Sequence, residues 1–176
     1  KIHPDFDNIL NEITYLDPNS LIVFTVFPNK SAVINLLKRW KKSFPNLLNH
    51  IIFLKRLPHL KFLRLSELID VHLDTIHFGM GSTGHQILNL KKPIVTWQGE
   101  FARGRYISSI YKKYKFKKCP LAKHQKNYAK IAVDWATNKK LSKQFELEIS
   151  EKSEKLFSDT QNIIFEFENF FKKINK

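Results

Sequence analysis

Residues 70–97 read DVHLDTIHFGMGSTGHQILNLKKPIVTW. Two short apolar runs, Asp70 to Asp74 and Pro93 to Trp97, have the length and β-branched content of buried strands. Between them, Thr83 to Leu90 carries Ile87, Leu88 and Leu90 at helical spacing. A strand, a turn, a helix and a second strand in so few residues imply a right-handed crossover between parallel neighbours. The turn is HFGMGSTGHQ, and it places Gly79, Gly81 and Gly84 close together in a chain that has five glycines.

The same alternation extends in both directions. Upstream, Phe6, Ile9, Leu10, Ile13 and Leu16 mark a helix stopped at Asp17-Pro18, because the residue before proline avoids the α region. Leu21 to Phe27 reads as a strand, Ser31 as the cap of a helix ending at Pro45, Ile51 to Leu54 as a strand, and Pro58 to Leu68 as a helix. Downstream the pattern turns helical, at about Ala102 to Tyr114, Lys123 to Thr137, Lys139 to Phe157 and Thr160 to Lys173. The expected fold is therefore α/β, a Rossmann-like parallel sheet with helices on both faces and a helical tail. Without an internal repeat or a Gly/Ser-rich linker, residues 1–176 are expected to form one domain. Ile163, Ile164, Phe167, Phe170, Phe171 and Ile174 share one broad stripe of the last helix, a surface that calls for a partner.

Composition narrows the class. A chain of 176 residues with 43% hydrophobic content can bury a core, and no apolar run approaches the roughly 18 residues of a membrane span. Secretory-signal character is lacking at the start, and the lone Cys119 excludes an internal disulfide, so a cytoplasmic location is expected. The formal net charge of +14 favours anionic partners. Its densest cluster, Tyr111 to Lys130, reads as a solvated basic face, and no specific nucleic-acid site is expected.

The glycine turn lies where parallel sheets bind ligands, beyond the carboxyl end of a strand and at the start of a helix. Outward N–H groups near Ser82, Thr83 and Gly84, with the Ser82 and Thr83 hydroxyls and a donor from His77 or His85, suit a phosphate. The alternative is an ordinary tight turn with Ser82 or Thr83 as N-cap. It is not a Walker loop, since no Gly-Lys-Ser/Thr follows. Gly99 and Gly104 flank Glu100, Arg103 and Arg105 after the next strand. These arginines can offer forked donors to a diphosphate or carboxylate, or Arg103 can simply pair with Glu100. His72 and His77 do not make a metal site: no cysteine or carboxylate cluster completes one, and His72 reads as structural. His3, His50 and His124 carry no signal.

Taken together, KIHPDFD, IIFLKRLPHLKFL, DVHLDTIHFGMGSTGHQIL, KPIVTWQGEFARGR and the helical tail resemble the C-terminal half of the SPINDLY / O-linked N-acetylglucosamine transferase-like glycosyltransferases. The resemblance runs in order along the whole chain. It implies the donor-binding domain of a GT-B enzyme, metal-independent and inverting, that transfers N-acetylglucosamine or another hexose from a UDP-sugar to protein or peptide side chains. On this resemblance Lys1 matches a lysine on the diphosphate. Gly81, Ser82, Thr83 and Gly84 match the phosphate loop, and Gln86 stands where an acidic residue binds the ribose. Leu57, Pro58, His59 and Phe62 match the stretch that grips uracil, and Arg105 matches a family arginine. No cofactor is implied beyond the nucleotide-sugar donor. Gln86 departs from the pattern as a neutral amide, and Gly81 stands where animal relatives have histidine. The N-terminal half, with acceptor and general-base groups, is expected to be missing. The other reading is a catalytically inactive partner-binding module derived from such an enzyme.

Overall fold

The computed structural model describes residues 2–25, 30–158 and 160–174. Helix α1, Pro4–Leu16, starts under His3, whose Nδ1 accepts from the Asp5 N–H, and buries Phe6, Ile9, Leu10 and Ile13. Strand β1 is Ile22–Thr25, and the rest of the expected strand falls outside the described residues. Helix α2, Lys30–Ser43, already contains Ser31 in its first turn, so Ser31 is not its cap. A 3-10 segment, Pro45–His50, leads into β2, Ile51–Leu54. Then follow α3 (His59–Leu68), β3 (His72–Leu73), α4 (Ser82–Asn89) and β4 (Ile94–Trp97).

Beyond β4 a short 3-10 turn, Ala102–Gly104, precedes α5, Tyr106–Lys113. The stretch after α5 holds a strand that the sequence reading omits, β5, Leu121–Ala122. The helix expected from Lys123 begins later, as α6, Tyr128–Thr137. Asn138 then caps α7, Lys139–Phe157, by accepting from the N–H groups of Lys140 and Leu141. The last helix is α8, Thr160–Ile174.

Every strand pairing is parallel, as the helix-strand alternation requires. The strands form two ladders, β1 with β2 and β3-β4-β5. One apolar cluster joins α1, β1, α2 and α6 around Trp40, Leu10 and Tyr128. A second joins α4, β4, α5 and α7 around Ile107, Tyr111 and Phe145. Two tyrosines fasten helices to strands. The Tyr111 hydroxyl donates to the Ile94 carbonyl at 2.9 Å and accepts from the Ile94 N–H at 3.1 Å. The Tyr128 hydroxyl sits 2.8 Å from the Asp74 carbonyl and 2.7 Å from that of Val95.

Between the amino-terminal helices runs an ion pair whose carboxylate is buried and whose guanidinium is half-buried. Asp7 is 3% exposed, and Arg39 grips it with two bonds, Nε to Oδ2 at 2.6 Å and a terminal nitrogen to Oδ1 at 2.9 Å. The same guanidinium reaches the carbonyl of Ile2 at 3.2 Å. In contrast, α8 has no buried residue, and its phenylalanines and isoleucines are exposed, so the stripe expected to need a partner is open to solvent. Among the described residues, no helix is long and apolar enough to cross a membrane.

Candidate functional site

The turn between β3 and α4 is organised by Asp74, a buried carboxylate at the end of β3. It accepts from the Met80 N–H at 2.5 Å and from the Thr96 hydroxyl of β4 at 2.8 Å. The chain must pass close over this carboxylate, and that explains Gly79. A Cβ there would lie 2.9 Å from Asp74 Oδ1 and 3.0 Å from Oδ2. Gly84 answers a second crowding, since a Cβ would meet Ile107 of α5 at 2.4 Å. None of the five glycines has a positive φ, so here glycine supplies room and not a left-handed turn. Gly81 faces open space.

At the start of α4, Gly81 occupies the N-cap, and no side chain caps the helix. Neither Ser82 nor Thr83 is an N-cap; both are exposed residues of the first turn. The Gly84 N–H turns inward to the Gly81 carbonyl at 2.9 Å, so it is not one of the outward donors that the sequence suggests. The N–H groups of Ser82 and Thr83 belong to the set that a helix start leaves without an intrahelical acceptor. They stand together with two hydroxyls at the positive end of the helix dipole.

The segment after β4 folds onto this turn. Gly79 N–H donates to the Arg103 carbonyl at 2.8 Å, and Gly104, where a Cβ would come within 3.1 Å of the Ile76 carbonyl, allows that approach. Arg105 Nε donates to the Gly99 carbonyl at 2.6 Å, which fixes the side chain along the strand-end loop. Arg103 does not pair with Glu100. Its guanidinium lies 4.6 Å from the centre of the Phe101 ring.

Phe62 of α3 and Thr83 line one cavity of about 330 Å³, together with Thr75 and Met80 of the turn. Leu57 and His59 are not among its lining residues; Leu57 is half-buried and His59 exposed. Gln86 is half-buried on α4. Lys1 lies outside the described residues.

His77 is committed elsewhere. Its Nε2–H donates to Asp5 Oδ2 at 2.7 Å, a contact that, as its largest cause, holds the Asp5 carboxyl below its usual value. The His3 ring sits edge-on to His77, with centroids 4.4 Å apart. His3, Asp5 and His77 thus bring three potential metal-ligand atoms within 4.8 Å of one another on the surface. The sequence reading sets His3 aside and finds no carboxylate near His77, because Asp5 and His77 are joined only by folding. His72 is structural as expected: Nε2–H donates to the Ser66 carbonyl at 3.1 Å, and burial lowers its pKa.

A family model described as Glycosyl transferase family 41 matches residues 1–166. The chain belongs to glycosyl transferase family 41. Among solved structures, it resembles a Thermobaculum terrenum O-GlcNAc transferase mutant, K341M, with a TM-score of 0.84 and 18% sequence identity. That alignment covers 98% of this chain and 33% of the other, so the chain spans about a third of that protein's length. No curated protein matches the sequence. Identity at this level shows a shared fold, and the fold agrees with the α/β architecture of parallel strands, helices and a helical tail expected from the sequence. As a family 41 glycosyltransferase domain, the chain presents its uncapped α4 start at the carboxyl end of a parallel strand, where open α/β sheets place ligands.

Proposed function

We propose that this chain is the nucleotide-sugar-binding domain of a family 41 glycosyltransferase, and that the start of α4 receives the diphosphate. One observation carries the reading: a helix start with no side-chain cap, Ser82 and Thr83 exposed on its first turn, sits beside a cavity shared by Thr83 and Phe62. Free N–H groups, two hydroxyls and the dipole end suit a diphosphate whose negative charge grows as it leaves. Arg105, anchored through Nε, and Lys1 add cationic character. Phe62, with Leu57 and His59 on the segment before it, offers the apolar and ring surface that a base needs. Gln86 can hydrogen-bond a ribose hydroxyl, though without the charge-assisted strength of a carboxylate.

In the transfer, an acceptor side-chain hydroxyl attacks the anomeric carbon as the carbon–oxygen bond to the diphosphate breaks. UDP leaves with the bonding electrons, and a base takes the hydroxyl proton. One displacement inverts the anomeric centre. The proposed donor is UDP-N-acetylglucosamine or another UDP-hexose, the acceptor is a protein or peptide, and the diphosphate charge is met by N–H groups and cations rather than by a metal.

Calorimetry with UDP and with uridine tests the site. UDP should bind more tightly than uridine, and Thr83→Ala should weaken UDP by about ten- to a hundredfold, the loss of roughly one hydrogen bond to a charged group. A folded protein that gives no heat and no thermal shift with millimolar UDP would refute it. The other reading, a partner-binding module without catalysis, draws on α8, whose aromatic stripe is exposed along its length. Normal UDP binding accompanied by no transfer in the full-length protein would favour that reading.

A further inference from the structure

The start of α1 meets the turn after β3 at the surface, and His3, Asp5 and His77 gather there. One oxygen, Asp5 Oδ2, lies 3.3 Å from His3 Nδ1 and 2.7 Å from His77 Nε2. The three potential ligand atoms all fall within 4.8 Å of one another. Their side chains are 51%, 50% and 44% exposed, so an ion and its water can reach them. Among the described residues, their polar side-chain atoms bond only one another and the Asp5 N–H.

The backbone holds both halves of this cluster in place. Pro4 keeps the residue before it out of the α region, and His3 is extended at φ −74° and ψ 149° while Asp5 sits in the first turn of α1. That puts two ligands of one short segment on the same side of the helix start. Two residues beyond His77, the Gly79 N–H is fixed to the Arg103 carbonyl, and before it the Thr75 hydroxyl donates to the Phe78 carbonyl at 2.6 Å. His77 therefore projects from a bonded turn.

Donor chemistry selects the ion. Two imidazole nitrogens and one carboxylate oxygen, with a fourth position open to water, make a zinc-type set. Magnesium and calcium prefer oxygen ligands throughout. With zinc–ligand bonds of about 2.0–2.2 Å, neighbouring donors of a tetrahedral site stand about 3.3–3.5 Å apart. The His3–Asp5 separation already has that value. The His77–Asp5 separation is that of a hydrogen bond, and it opens by about 0.6 Å when a cation replaces the shared proton.

We propose that His3, Asp5 and His77 form a surface site for one zinc-class divalent cation, held by two imidazoles and one carboxylate with water in the remaining position. The turn is already held from inside by Asp74 and from the β4 side by the Arg103 carbonyl. The cation adds a tether from α1. It takes no part in sugar transfer, so the inference stands apart from the nucleotide reading and its test uses no nucleotide.

Zinc chloride is titrated into the full chain by calorimetry, with magnesium and calcium chloride as comparison. One equivalent of zinc should bind and raise the melting temperature, and the other two ions should do neither. Imidazole signals followed by NMR should shift at His3 and His77 and change little at the other five of the seven histidines. Asp5→Asn, His77→Ala and His3→Asn, the last of which keeps a capping side chain on α1, should each weaken zinc by at least about tenfold, the smallest cost of losing even a supporting partner of a metal ligand. His124→Ala, at an exposed histidine outside the cluster, should leave binding unchanged. Zinc that saturates only at millimolar concentration, or binds equally well to the three variants, would be an adventitious ion only and would overturn the proposal. Zinc that binds only as the chain dimerises would overturn it too. If the variants fail to fold, the unmodified chain decides alone: zinc-induced shifts that spare His3 and His77 refute the site.

Discussion

Removing the Asp74 carboxylate is the sharpest probe of how the glycine turn is held. In Asp74→Ala the Met80 N–H and the Thr96 hydroxyl lose their acceptor, and Thr96 is completely buried. A hydrogen bond to a charged group contributes about 1.5–3 kcal/mol, and two that share one acceptor are not additive, so a loss of about 3–4 kcal/mol is expected. Asp74→Asn keeps an acceptor for Met80 and offers its amide N–H to the Thr96 oxygen, so its cost should be about 1–2 kcal/mol. Thr96→Val removes one bond and should fall between. Urea unfolding followed by tryptophan fluorescence gives the three values, with unchanged m-values as the check on two-state behaviour. If Asp74→Ala proves too unstable to purify, the Asn and Val variants still rank the bonds. An alanine variant within about 1 kcal/mol of the parent would show that the carboxylate does not hold the turn.

Other substitutions and conditions test separate parts. Arg39→Met strands the buried Asp7 carboxylate and should destabilise by about 3 kcal/mol, read by the same unfolding assay. Burial, as the largest cause, raises the Cys119 thiol to about 11 from 9.0. Its thiolate fraction near neutral pH therefore falls about 100-fold, and alkylation by iodoacetamide should run at least about tenfold slower than for a free thiol, even after the stronger nucleophilicity of the more basic sulfur is counted. His72 has its folded pKa lowered below 6.5 by burial. The unfolded chain then takes up a proton that the folded chain resists, so stability should fall as pH drops below about 6.5 and flatten once the folded pKa is passed. His72→Gln should remove that part of the slope when urea midpoints are compared at about pH 7.5 and about pH 5.5.

Local signals made much of the fold legible. The helical pattern places α7 at Lys139–Phe157, and proline punctuation places α3 and β4 within a residue of their observed starts. Strand β5 was not legible because two residues between Pro120 and Lys123 carry no periodicity. The glycine turn was located correctly, but the reason for its glycines was not local. Gly79 answers Asp74 across the turn and Gly84 answers Ile107 on another helix. Pairings such as Asp7 with Arg39, or Asp5 with His77, join residues 32 and 72 positions apart, which no window of sequence can connect.

The Arg39 guanidinium has a mechanical consequence. By holding both the Ile2 carbonyl and the Asp7 carboxylate, it ties the amino end of the chain and α1 to α2 at two points. A pull applied at residue 2 is therefore carried to α2 through Arg39, and it also reaches the glycine turn through the Asp5–His77 bond.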